Sequence, residues 1–186
     1  MNAQYIRSDF DFKKISLENF INLSKEELEM IRKWRNHKEV RKWMYSDHII
    51  SKEEHLSYIN KLKKDNKNYS WLVKKEDNGL GVLNFHRVDL KNKHAYFGQY
   101  SNPEKSVPGL GWIVDKIAIK LAFNIIGLHT LKLEALADNK ILQIHKKVGF
   151  QKEGRLKDYI LKNNEWKDVV VMGLTEENKK TNKKLK

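Results

Sequence analysis

The run SVPGLGWIVDKIAIKLAFNII, residues 106–126, constrains the fold more than any other stretch of this chain. Two glycines stand one residue apart at its start, and Ile113, Ile117, Leu121 and Ile125 then recur at helical spacing as far as Gly127, a residue suited to end a helix. Strand-like residues lie on both sides, HAYFGQY before it and LKLEALA after it. A helix joining two strands of one sheet makes a right-handed crossover between parallel neighbours. Any sheet this chain forms therefore contains a parallel pair.

Upstream, the pattern predicts antiparallel pairing. YSWLVKK and LGVLNFHRV read as strands joined at Asp77-Asn78-Gly79, whose residues tolerate the positive φ of a tight hairpin, and Lys91-Asn92-Lys93 turns the chain into HAYFGQY. Two capping boxes, Ser24-Lys25-Glu26-Glu27 and Ser51-Lys52-Glu53-Glu54, open helices whose apolar faces are Leu28, Ile31 and Trp34, then Leu56, Ile59 and Leu62. Downstream, ILQIHKKV is a helix ending at Gly149, and two further strands flank Asn163-Asn164. The expectation is one α+β domain over residues 1–175, with a mixed, mostly antiparallel sheet of about seven strands flanked by about four helices. Residues 176–186 are expected to form a basic, disordered tail.

Charge leaves the partner open. The formal net charge is +13, and five lysines in the final KKTNKKLK account for 5 of it, leaving +8 for the rest. Such a surface favours polyanions: RNA, anionic lipid or a phosphate-bearing small molecule. The chain has no cysteine, which excludes disulfides, thiolate metal sites and a cysteine nucleophile. The seven histidines show no ligand spacing with carboxylates, so no metal is expected. Neither a signal-peptide pattern nor a long apolar run is evident, and the expectation is a cytoplasmic chain without a membrane partner.

Gly109 and Gly111 carry the first chemical signal. Without Cβ atoms the backbone can approach an anion closely, and the helix that follows aims unpaired amides and its positive dipole end at that point. A pyrophosphate suits this arrangement; a plain turn before a helix is the other reading. The Gly-Lys-Ser/Thr of a phosphate loop is missing, as are the third glycine and the ribose-binding acid of a dinucleotide fold. Glu134, by the alternation of LKLEALA, sends a carboxylate off a central strand while its neighbours fill the core. His145, on the next helix, is a candidate proton carrier or a solvent-facing histidine.

The element order, the loop Ser106-Val107-Pro108-Gly109-Leu110-Gly111 and the block ADNKILQIHKKVGF together resemble the GNAT N-acetyltransferase superfamily over nearly the whole chain. That resemblance implies acetyl-CoA as co-substrate and no metal. It implies that Lys105, Ser106, Val107, Gly109, Leu110, Gly111 and Trp112 hold the pyrophosphate, with Lys105 supplying the cation because Ser106 stands where the family has glutamine or arginine. Gln99, Tyr100 and Ser101 would pair with the pantetheine arm and the reacting carbonyl oxygen. The second block is one residue shorter than the family's, so either Asp138 or Asn139 faces the cofactor. Glu134 becomes the general base, acting directly or through water, and the acid is either His145, at a position usually held by tyrosine, or water.

Within that superfamily, Arg35-Asn36-His37, Trp43-Met44-Tyr45-Ser46, Ile50-Ser51, His55-Leu56, the block from Lys93 to Pro103 and Glu153-Gly154-Arg155-Leu156-Lys157 resemble the branch that serves pseudaminic acid biosynthesis. That branch acetylates the 4-amino group of UDP-4-amino-4,6-dideoxy-N-acetyl-β-L-altrosamine. The resemblance implies a nucleotide-sugar pocket: Arg35 for the diphosphate, Tyr45, Tyr58 and Tyr96 for ring faces, His37, His55 and Asn84 for polar groups, and Met44 for a deoxy methyl. Trp34 and Trp43 are equally readable as core contacts. Two rivals stand beside this one: a RimJ/RimL-like acetyltransferase of protein N-termini, which shares the EGR block, and a basic RNA-binding module. The enzyme readings expect no nucleic acid. Oligomeric state is left open, a homodimer included.

Overall fold

The computed structural model describes residues 5–179, and their elements run in the order β1 (Phe10–Phe12), β2 (Ile15–Asn19), α1 (Lys25–Asn36), α2 (Lys38–Arg41), α3 (Lys52–Leu62), β3 (Tyr69–Lys75), β4 (Asn78–Asp89), β5 (His94–Ser101), α4 (Leu110–Lys120), β6 (Thr130–Leu136), α5 (Ile141–Val148), β7 (Gln151–Lys162) and β8 (Glu165–Thr175). They build one eight-stranded sheet in the order β1-β2-β3-β4-β5-β6-β8-β7. Every neighbouring pair is antiparallel except β5 and β6. The crossover expected from the apolar helix is therefore present, and the fold is the expected mixed, mostly antiparallel α+β sheet. It has one strand more than expected, in the short N-terminal hairpin, and α2 is an extra turn of helix.

Both faces of the sheet are covered, which explains why β3 is buried over five consecutive residues instead of alternately. Leu72 and Val82 point into a cluster with Leu28, Ile31 and Trp34 of α1 and Ile59 and Leu62 of α3. Trp71, Leu83, Phe85 and Phe97 point the other way, into the main core under Leu110, Val114 and Ala118 of α4. At the edge of the first cluster, the Lys74 ammonium bridges Glu18 of β2 and Glu27 of α1 at 3.0 and 3.1 Å.

Local signals hold where the cause is local. Ser24 and Ser51 each accept from the amide three residues on, and Glu27 and Glu54 reach back, closing both capping boxes. Gly127 and Gly149 take left-handed φ of 76° and 116° at helix ends. Asn163 and Asn164, both at positive φ, turn β7 into β8.

Three expectations are corrected. Leu56 is 51% exposed, and α3 instead buries His55, four residues before Ile59. The β3–β4 turn lies at Glu76-Asp77, with Glu76 at φ 54°; Gly79 is already in the strand. Its missing Cβ makes room for α1, since a Cβ there would stand 2.8 Å from Trp34 Cη2. The apolar helix changes hydrogen bonding at Leu121 and finishes as a π-helical turn to Ile126. That wider turn rephases its faces, so Ile126 enters the core while Ile125 stays half-buried. Of the expected tail, residues 176–179 are helical and residues 180–186 lie outside the described residues. Among the described residues no helix is long and apolar enough to cross a membrane.

Candidate active site

The parallel pair is short. β5 and β6 share His94↔Thr130, Ala95↔Leu131 and Tyr96↔Lys132. Beyond these, β5 follows β4 out to Ser101 and β6 follows β8 out to Leu136. The two facing edges have no strand partner there, so the backbone lining the gap is free to pair with something else. The gap is a cleft of about 290 Å³, walled by Phe97 to Tyr100 on one side and Leu133 to Ala135 on the other.

One end of the cleft carries a buried acid–imidazole pair. His145 of α5 is 4% exposed and Asp115 of α4 fully buried, with Nδ1 and Oδ2 at 2.8 Å. Gln99 Nε2 donates to Asp115 Oδ1 at 2.6 Å and to the Gly111 carbonyl at 3.2 Å. Burial raises the Asp115 carboxyl above its ordinary range, against the opposing pull of the neighbouring His145. His145 is thus no solvent-facing histidine. Its α5 helix can pack this closely because Gly111 lacks a Cβ, which would meet Ile141 Cδ1 at 3.2 Å.

Across the cleft, Glu134 is the hub. Its Oε2 accepts from the Tyr45 hydroxyl and its Oε1 from Arg87 Nη1, both at 3.0 Å. Burial pushes the Tyr45 hydroxyl above its ordinary range, and the Glu134 carboxylate pushes it further. Arg87 stands in the left-handed region at φ 52°, beside an irregularity in the β4–β5 pairing, and its guanidinium lies 4.8 Å over the Tyr96 ring. His86, whose ring burial pulls down, flanks the same tyrosine at 5.6 Å.

The segment after α2 closes the remaining side with Trp43, Met44 and Tyr45, and Arg35 of α1 and Asn84 of β4 complete it. Arg35, Asn84 and Tyr100 also line a second, 200 Å³ pocket behind the first, together with His55 and Tyr58. Arg35 Nη1 and Asn84 Oδ1 are buried in the protein without partners. The segment is pinned by Lys162 of β7, 7% exposed, whose ammonium donates to the Arg41 and Met44 carbonyls at 2.9 and 2.6 Å and meets Asp47 at 3.1 Å.

The expected site residues therefore divide. Glu134, His145, Gln99, Tyr100, Asn139, Arg35, Met44, Tyr45 and Asn84 meet in the cleft, and His55 and Tyr58 lie in the pocket behind it. Between the two alternatives, Asn139 is on the cleft, while Asp138 lines a basic pocket with Lys162 and Lys167. His37 is spent on capping α2, its Nδ1 accepting from the Glu39 amide. Tyr96 reaches the site only as the seat of Arg87. Trp34 is core, and Trp43 lines the cleft.

The loop Lys105 to Trp112 leads into α4. Gly109 caps that helix at φ 76°, no side chain caps it, and a Cβ there would meet nothing within 4 Å. Uncapped first-turn amides beneath open space fit an anionic group. Lys105 is held at Asn78, Leu110 packs into the core, and Trp112 is exposed beneath Lys116. Leu110 thus offers no side chain to a ligand, and its amide already donates to the Val107 carbonyl at 3.2 Å.

Asp115 and Arg87 escaped the sequence reading. Asp115 had a signal, as a lone acid inside an apolar helix; Arg87, one cation among many in a basic chain, had none.

Comparisons with known proteins agree with this geometry. A family profile described as Acetyltransferase (GNAT) domain matches residues 22–171. Acetyltransferase PseH of Campylobacter jejuni is 34% identical over 146 residues, covering 78% of this chain and 90% of that protein. The crystal structure of Campylobacter jejuni N-acetyltransferase PseH in complex with acetyl coenzyme A superposes with a TM-score of 0.67 at 29% identity, covering 87% of this chain and 99% of that one. The [ribosomal protein uS5]-alanine N-acetyltransferase of Escherichia coli is 32% identical over 52% of this chain and 50% of its own length.

Proposed function

This chain belongs to the GNAT acetyltransferase family and is an acetyl-CoA-dependent N-acetyltransferase, and from that premise we propose that its acceptor is the 4-amino group of UDP-4-amino-4,6-dideoxy-N-acetyl-β-L-altrosamine, in pseudaminic acid biosynthesis, as a cytoplasmic enzyme. The observation that carries the reading is the acceptor wall: Arg35, Met44, Tyr45 and Asn84 converge opposite His145 in one cleft. Similarity to PseH over most of both chains supports it.

Acetyl-CoA supplies an activated acetyl thioester. The loop from Lys105 to Gly111 and the amides opening α4 hold its diphosphate, with Ser106, Val107 and Trp112 around them. Gln99, Tyr100 and Ser101 offer backbone groups along the open β5 edge, and Asn139 faces that edge from the start of α5. On the acceptor side Arg35 supplies a permanent cation suited to a diphosphate, Tyr45 a ring face, and Met44 an adaptable apolar surface. His55 and Tyr58 serve the inner pocket.

Glu134 accepts the proton of the attacking amine, through water, because its two oxygens already receive Tyr45 and Arg87. Those donors fix the direction of the carboxylate. His145 Nε2 faces the departing sulfur and returns a proton to it. The test is incubation with acetyl-CoA and either the nucleotide sugar or an alanine-initiated peptide, read by mass spectrometry. Acetylation of the sugar amine is expected, and turnover with the peptide alone would overturn the proposal in favour of a protein N-terminal acetyltransferase.

A further inference from the structure

We infer that Asp115 is a positioning residue for the transfer: it holds the His145 ring with its Nδ1 proton inward, so that Nε2 is the nitrogen offered to the cleft, and it supplies the counter-charge for the protonated ring. The inference rests on the acetyl transfer proposed above. Asp115 sits on α4 among the apolar Val114, Ile117 and Ala118, and full burial of a carboxyl is costly unless its oxygens are satisfied.

Here both oxygens are satisfied. Oδ2 meets His145 Nδ1 at 2.8 Å and Oδ1 accepts from Gln99 Nε2 at 2.6 Å. An ionised carboxylate only accepts, so the hydrogen between Asp115 and His145 belongs to Nδ1. Phe97 and Phe150 stand edge-on to the ring, with centroids at 5.9 and 5.8 Å, and resist its rotation. With Nδ1 so committed, Nε2 is bare in the neutral ring and carries a proton only in the imidazolium. That charged form is the one able to protonate a leaving group, and the Asp115 carboxyl lies 2.8 Å from it to balance the charge.

Other titratable and charged groups share the cleft with the ring or lie beside it. Arg35 of α1, Tyr45, His86 of β4, Tyr100 of β5 and Glu134 of β6 line the same cleft. Lys116 acts on Asp115 from α4, and Lys146 and Lys147 are neighbours on α5. The cations among them oppose the imidazolium and Glu134 supports it, but Asp115 is the carboxylate in hydrogen-bond contact. In the transfer itself, the N–C bond forms as the C–S bond breaks; the amine proton passes by water to Glu134, the Nε2 proton goes to sulfur, and solvent exchange resets both groups. Gln99 also ties this pair to the Gly111 carbonyl, in the first turn of the helix that receives the diphosphate.

The experiment follows the ring directly and then the reaction. In protein labelled with 15N-histidine, His145, assigned by its loss in His145→Gln, is expected to show Nδ1–H in the neutral form. In Asp115→Asn it is expected to populate both tautomers. Turnover is then measured with acetyl-CoA and the nucleotide sugar. In that variant kcat falls about 10- to 100-fold, the scale of acid–base catalysis, and KM for acetyl-CoA stays within about twofold. Added to His145→Gln, Asp115→Asn should cost less than about twofold more, the signature of action through the same group. A wild-type ring protonated on Nε2, a ring indifferent to Asp115→Asn, or an undiminished loss in the His145→Gln background would overturn the inference; the first needs no variant to fold. If the ring behaves as stated but the nucleotide sugar is not acetylated, the acceptor assignment fails and the role of Asp115 stands.

Discussion

Replacing Glu134 by glutamine separates chemistry from scaffolding. The glutamine keeps the shape of the side chain but places an NH2 group against one of its two donors, the Tyr45 hydroxyl or Arg87 Nη1. The ion pair lost is worth little, because the Arg87 side chain is 55% exposed and solvent screens it. One mismatched hydrogen bond on a carboxylate 11% exposed costs about 1–2 kcal/mol. That is well inside the ~5–15 kcal/mol stability of a domain, so the variant folds. Loss of a general base instead raises the barrier by about 2.7 kcal/mol, two decades of rate. Steady-state kinetics over a pH series should show kcat down about 100-fold, acetyl-CoA affinity unchanged by titration calorimetry, and the acidic limb of the profile gone. Arg87→Met is the control: it strips the cation but leaves the carboxylate, and kcat should fall less than about tenfold. If Glu134→Gln turns over within threefold of wild type with its acidic limb intact, Glu134 is not the base.

Three further outcomes follow from other parts of the cleft. Gly109→Ala places a Cβ at φ 76°, costing about 1–2 kcal/mol in backbone strain though the space is open, and its methyl stands where a diphosphate would approach the helix-opening amides; calorimetry should show CoA binding weakened about tenfold or more. Lys162→Met frees the carbonyls of Arg41 and Met44, so KM for the acceptor should rise severalfold while CoA affinity holds; equal losses on both substrates would contradict a role confined to the acceptor wall. Burial alone would raise the Glu27 carboxyl, but the Ser24 amide and the Lys74 ammonium hold it below the ordinary carboxylate range. A carboxyl depressed in the folded state stabilises above its unfolded pKa of about 4.3 and loses that contribution as pH falls through the folded value. Urea unfolding should therefore show Glu27→Gln less stable than wild type at pH 7, with the gap closing below about pH 4.

How far the amino-acid order alone reveals this molecule depends on the range of the interactions. Capping boxes, helix-ending glycines and the Asn163-Asn164 turn are decided within four residues, and each was readable. The crossover was readable too, since a helix between two strands leaves few topologies. Leu56 misled because spacing by three or four cannot tell which edge of a helix meets the sheet; His55 occupies the buried edge. Gly79 misled because its cause, the Trp34 indole, is far away in sequence. In the site, Glu134 and the segment at Met44 and Tyr45 were legible from strand alternation and composition together with family resemblance. The pairing of Asp115 with His145 across thirty positions was not, because only the packing of α5 on α4 brings them together. His37 was claimed for the pocket and serves as a cap, a role that Asn or Asp more often signals.

All of the chemistry assigned here depends on one gap, the place where β5 and β6 part after Tyr96 and Lys132. A crystal structure of the CoA complex examines it most directly. Density for the pantetheine arm between the open edges of β5 and β6, with the diphosphate on the amides of Gly111 and Trp112 and the sulfur within reach of His145 Nε2, is the outcome expected. A CoA molecule bound elsewhere, or a gap closed by its own side chains when CoA saturates the protein, would contradict it.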